Sequence, residues 1–181
     1  MADISHSSNT GIFAFRTRTG SPRIITPDAS TAASTALIQA GQVVQFDVTG
    51  SATHRIVRAS TAAGHPNLST NYAGIAAASD VSDGSTTGLG EGKRLISVWA
   101  ADGDVEFVFP TKIAGIASTL VGTALALGYD STLAFHYLAA NSTAGDRRVW
   151  VTGLYDAPGD TNGRVYGKFA STAISPIVVT R

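Results

Sequence analysis

The stretch Ala100-Ala101-Asp102-Gly103-Asp104-Val105-Glu106-Phe107-Val108-Phe109 reads as the turn and returning strand of a β-hairpin. Val105, Phe107 and Phe109 fall on one side of an extended chain, and Glu106 and Val108 fall on the other. That period of two is the mark of a strand packed on one face. Asp102-Gly103, just before it, supplies the positive φ angles of a tight turn. The same grammar extends in both directions. Val44, Phe46 and Val48 oppose Gln45 and Asp47, and Asn162-Gly163 turns the chain into Arg164-Val165-Tyr166. Candidate strands fall at 11–18, 23–26, 42–48, 55–60, 72–78, 94–100, 105–109, 123–129, 132–138, 148–155, 164–170 and 177–180. A succession of short strands separated by turn dipeptides points to an all-β antiparallel sandwich or small barrel, of β-tulip or jelly-roll type.

Composition agrees. Thr (21), Val (14) and Ile (12) are abundant, whereas Glu (2), Lys (3) and Gln (3) are scarce. β-Branched side chains lose rotamer freedom in helices and pack well on a pleated surface, so the balance favours strands. Asp outnumbers Glu 11 to 2, which suits turns, where a short carboxylate bonds nearby backbone. At most two short helices are expected. One is the Ala-rich span 28–40, capped by Asp28 or Ser30 and ended by Gly41. The other is marked by the helical spacing of Ile113, Ile116, Leu120 and Ala124, weakened by Gly115 and Gly122. At 181 residues the chain makes one compact β-domain, residues 36–181, preceded by residues 1–35 as an extended N-terminal arm or as first strands.

The chemistry of the chain is sparse. Lys+Arg and Asp+Glu are equal at 13 each, so bulk attraction to nucleic acid is absent and direct nucleic-acid binding is not expected. With no cysteine there is no disulfide, zinc-thiolate site or thiol nucleophile. No apolar run is long enough for a membrane helix, and the polar start lacks a signal pattern, so a protein made in a cytoplasm without membrane contact is expected. Gly88-Leu89-Gly90-Glu91-Gly92-Lys93 fails as a phosphate loop, because Thr87 stands at the first glycine position and Arg94 at the hydroxyl position. His6, His54, His65 and His136 share no ligand spacing, and unpaired surface or edge histidines are expected. The close aspartate pairs 80/83, 102/104 and 156/160 all sit in turn-rich sequence. No catalytic, cofactor-binding or metal-binding residues are assigned, and the protein is not expected to be an enzyme.

Arginine and aromatics are distributed less blandly. Arg outnumbers Lys 10 to 3, and its planar fork makes several directed bonds with less hydration to lose. Ile12, Phe13, Phe15, Arg16, Arg18 and Arg23 form the candidate interface. As an arm, this segment would add a strand to a neighbour's sheet edge. As a first strand, it would turn Phe13 and Phe15 inward and leave Arg16 and Arg18 at the rim.

The run Gly41-Gln42-Val43-Val44, then Tyr72-Ala73-Gly74-Ile75-Ala76, a Gly-rich loop, Leu95-Ile96-Ser97-Val98-Trp99, and Val121-Gly122-Thr123-Ala124-Leu125 resembles the capsid decoration, or cement, proteins of tailed bacteriophages. The resemblance covers residues 41–129 loosely and leaves out the first 35 residues and the span 147–181. It implies a virion structural protein made in the host cytoplasm. Its copies, often trimers, bind the major capsid protein on the outer capsid surface and clamp neighbouring coat subunits. The alternative is a trimeric head- or tail-fibre module binding host glycans, with Trp99, Trp150, Tyr137 and Tyr155 available to stack on sugars. Their place within alternating strands favours core packing instead.

Overall fold

The structure is a computed structural model that describes residues 12–17, 23–25, 28–29, 38–46, 55–58, 72–78, 96–102, 104–130, 132–133, 135–140 and 147–170. In chain order the strands are β1 (Phe13–Thr17), β2 (Ile24–Ile25), β3 (Asp28–Ala29), β4 (Val43–Phe46), β5 (Arg55–Arg58), β6 (Tyr72–Ala76), β7 (Val98–Ala100), β8 (Val105–Pro110), β9 (Ala124–Asp130), β10 (Phe135–Ala139), β11 (Arg147–Leu154) and β12 (Arg164–Phe169). The protein is all-β. Among the described residues the one helical element is a 3-10 turn, Ser118–Leu120.

The strands form two six-stranded sheets, ordered β1-β8-β12-β11-β9-β10 and β2-β7-β6-β4-β5-β3. Every pairing is antiparallel except that of β3 with β5. Within the span 1–35, residues 13–17 pair with β8, 24–25 with β7 and 28–29 with β5. The first sheet curls into a half-barrel. β1 covers β8 only as far as Val108, and beyond it Thr111 bridges Leu138 of β10, with the Lys112 N–H donating to the Leu138 carbonyl at 2.9 Å. The two ends of the sheet therefore share one edge of the chain's best-buried strand, all six residues of β8 being buried.

The barrel side of the core gathers Phe107, Phe109, Leu125, Leu127, Leu138, Val149, Val151, Val165 and Phe169 from the first sheet against Val43, Tyr72 and Ile75 from the second. Phe169 meets Tyr72, Phe107 and Phe109 at centroid distances of 5.2, 5.7 and 5.6 Å, in tilted or edge-on geometry. Such pairs add to simple area burial. The second sheet is buried on its other face too, where Val44, Ala73, Ala76 and Val98 pack with Ile38 and Ile96. A strand covered on both faces explains why β6, Tyr-Ala-Gly-Ile-Ala, has no polar alternation.

The helical spacing at 113–124 does not become a helix. Residues 111–116 instead strap along the loop between β11 and β12. The Gly159 N–H donates to the Ile116 carbonyl at 2.7 Å, the Ile116 N–H to Asp160 at 3.1 Å, and the Asn162 N–H to Ile113 at 2.8 Å. Gly115 lowers helix propensity, and these long-range bonds satisfy the backbone groups a helix would have used. Ile116 still reaches the core, with Ile113 and Leu120 packed beside it. In the other helical span, Asp28 and Ala29 are strand, and residues 30–37 lie outside the described residues. The expected strand at 177–180 also lies outside them.

Candidate functional site

β1 and β2 each form an edge of a sheet, so the candidate interface segment occupies the edge of both. Ile12 is 1% exposed, and its N–H donates to the Gly41 carbonyl at 3.0 Å. Phe13 sits opposite Val108 and Arg16 opposite Glu106, with a bulge between Ala14 and Arg16 that contains Phe15. Arg23 is exposed, and its carbonyl accepts the Ala100 N–H at 2.8 Å. Arg18 lies outside the described residues. Truncation before residue 19 would uncover the β8 edge and take Ile12 from the core. The unfolding midpoint is expected to fall sharply, and Ile12→Ala alone to cost about 3 kcal/mol in denaturant titration. A truncated chain as stable as the intact one would show that β1 contributes nothing to the fold.

His136, expected as an unpaired surface or edge histidine, lies on the edge strand β10 but is 1% exposed and bonded. Its Nδ1 accepts the Val43 N–H at 3.1 Å, and its ring lies 4.9 Å from that of Tyr129. A backbone N–H can only donate, so Nδ1 is the unprotonated nitrogen. This bond ties the half-barrel to β4 of the other sheet. His6, His54 and His65 lie outside the described residues, among which no three His, Cys, Asp or Glu side chains gather as a metal site would require.

The described carboxylates mostly build turns. Asp102 Oδ1 accepts the N–H groups of Asp104 and Val105 at 3.1 and 3.0 Å. Asp160 Oδ2 accepts that of Ala157 at 3.1 Å. Asp156 grips Arg164, accepting Nε and Nη2 at 2.9 Å each and the Arg164 N–H at 2.7 Å, which raises the arginine's affinity for its proton further. Glu106 is 4% exposed and accepts the Thr152 hydroxyl.

Asp130 organises the β9–β10 hairpin. Its Oδ1 accepts the N–H groups of Thr132 and Leu133 at 2.9 and 3.0 Å, and its Oδ2 accepts Lys112 Nζ at 2.5 Å. Lys112 Nζ also lies 4.5 Å from the centre of the Tyr137 ring. The bond from Lys112, then those from the turn, hold the Asp130 carboxyl below its ordinary value, and the bond to Asp130 raises Lys112. A depressed carboxylate stabilises the fold above its unfolded pKa and loses that contribution as pH falls through the folded one. A raised lysine stabilises below its unfolded pKa and loses that contribution as pH rises through the folded one. The hairpin tip should therefore be evenly protected from about pH 5 to 9 and loosen below about pH 4. Hydrogen exchange at Thr132 and Leu133 reads this directly, and Asp130→Asn should remove the acid limb. An acid limb that survives in that variant would assign it to another group.

The aromatics divide. Trp99 is half-buried against the core, and the Tyr137 ring lies on Gly128, within 2.7 Å of where a Cβ there would stand. Trp150 is 50% and Tyr155 39% exposed, contrary to the core packing expected of them. On β11 the inward positions belong to Val149 and Val151, so Trp150 between them faces out. Tyr155 is already occupied, with Arg164 4.3 Å over its ring and Tyr166 edge-on at 5.4 Å. The Val-Trp-Val alternation is the signal that could have found the exposure of Trp150, because the two valines take the inward positions and leave the indole the outward one.

Comparisons with protein-family models, with curated proteins and with solved structures find no match to this chain.

Proposed function

We propose that this chain is a capsid decoration protein of a tailed bacteriophage, a non-enzymatic homotrimer. It binds the major capsid protein on the outer capsid surface and stabilises the lattice by bridging neighbouring subunits. The observation that carries the reading is where the resembling segments fall. Three of the four, scattered over 59 residues between Gly41 and Trp99, lie side by side in one sheet. Val43 and Val44 pair with Ile75 and Gly74, and Ile75 and Ala76 pair with Trp99 and Val98. The edge positions of β1 and β2 give the protein backbone groups with which to recruit another chain's strand, and many copies on a lattice multiply weak contacts.

The test is co-sedimentation of the purified protein with particles assembled from a tailed-phage major capsid protein, followed by heat or osmotic challenge. Bound protein should raise particle survival. Because the net charge is zero, attachment should persist from low to high salt. Failure to sediment with particles, or release at moderate ionic strength, would sink the reading.

A further inference from the structure

The outer face of β11 and β12 carries an exposed indole with a lysine paired to it in register. Trp150 stands between Ala124 of β9 and Lys168 of β12 in register. Alanine on one side leaves no bulk to cover the indole, and lysine on the other supplies a positive charge. Two residues earlier on β11, Arg148 is half-buried, with its Nε buried and without a hydrogen-bond partner. Neither Lys168 nor Arg148 takes part in an ion pair among the described residues. A guanidinium that leaves a donor unpaired is poised to gain by turning onto an anionic acceptor.

We propose that this face binds an acidic saccharide, with the sugar's C–H face stacked on Trp150 and its carboxylate held by Lys168 and Arg148. The scale of the patch selects the ligand. In register the indole has only Ala124 and Lys168 beside it, and an indole is about the size of one sugar ring. A protein partner would call for a contiguous apolar patch of several hundred Å². A nucleic-acid strand would call for a track of cations and several stacking rings, in a chain whose net charge is zero. The carboxylate matches the planar fork of Arg148, and the indole supplies the stacking surface that gives Trp its weight at binding sites. The inference does not depend on the capsid reading.

The experiment is calorimetric titration of the full chain with oligogalacturonate at millimolar concentration. Neutral malto-oligosaccharide, polyglutamate and oligo-dT are run in parallel, and sedimentation is followed over a range of protein concentration. Oligogalacturonate should bind and quench tryptophan emission. Trp150→Ala should weaken binding at least about tenfold, and Trp150→Phe, which keeps a ring, by less. Lys168→Gln and Arg148→Gln should each weaken it several-fold while leaving the unfolding midpoint in place. Absence of oligogalacturonate binding overturns the proposal, as does binding unchanged in Trp150→Ala. Equal or tighter binding of polyglutamate or oligo-dT would reduce the face to a charge site or a nucleic-acid site. Self-association that Trp150→Ala abolishes would assign the face to a second copy of this chain.

Discussion

Gly74→Ala is expected to abolish cooperative folding of the chain. Gly74 lies in the middle of β6, paired with Val44 on one side and Ala100 on the other, with φ at +150°. A Cβ placed there would stand 1.9 Å from the Trp99 carbonyl oxygen and 2.9 Å from Cγ1 of Val98. The closest atom is backbone of the neighbouring strand, so relief requires parting β6 from β7. The second sheet would then open where both its faces are buried. The cost belongs in the range above about 4 kcal/mol that few single substitutions reach. Gly122→Ala is the matched control. Its φ is +81° with nothing within 4 Å of the added Cβ, so it should cost only the backbone strain, about 1–2 kcal/mol. Denaturant unfolding of both variants separates the two causes. A Gly74→Ala protein with a midpoint near that of Gly122→Ala would mean that the strands are not so closely apposed.

The second large effect is expected at His136. Removing its ring takes the acceptor from the buried Val43 N–H and empties the volume beside Tyr129. An orphaned buried donor costs about 1–3 kcal/mol and a large-to-small core change adds more, so His136→Ala should lose about 3–5 kcal/mol. His136→Phe fills the volume without an acceptor and should lose about 2 kcal/mol, which isolates the hydrogen bond. Hydrogen exchange at Val43 should accelerate in both variants. If His136→Ala unfolds within about 1 kcal/mol of the parent, the two sheets are held together by apolar contact alone. Treatment of the parent protein with a chelator should leave its unfolding midpoint unchanged if the ring is the structural tie that its geometry describes.

The strands were largely legible because period-two alternation is local. Val105, Phe107 and Phe109 declared the inward face of β8, and Asn162-Gly163 declared the turn before β12, where Asn162 indeed takes a positive φ of 55°. Only β3 was not anticipated, since a two-residue parallel pairing with β5 leaves no pattern of its own. The helical spacing at 113–124 misled because spacing records which side chains reach the core. Ile116 does so from an irregular strap as well as from a helix.

The candidate site divides along the same line. Core packing was expected of Trp150, yet it lies on the surface between the buried Val149 and Val151. That Lys168 and Ala124 flank it was not readable, because cross-strand register depends on bulges between Arg147 and Val149 and between Val151 and Gly153, and each bulge shifts every pairing beyond it. His136 shows the same limit from the other side. As one of four histidines without ligand spacing it looked incidental, and only the curling of the first sheet against β4 brings its ring to the Val43 N–H, 93 residues away. The sequence by itself therefore determined the all-β class, the turns and the inward faces, whose physics lies within a few residues. The tertiary structure alone decided the sheet order, the half-barrel closure at Thr111 and Leu138, the necessity of Gly74 and the company of Trp150. Each of these rests on contacts between strands that no local pattern encodes.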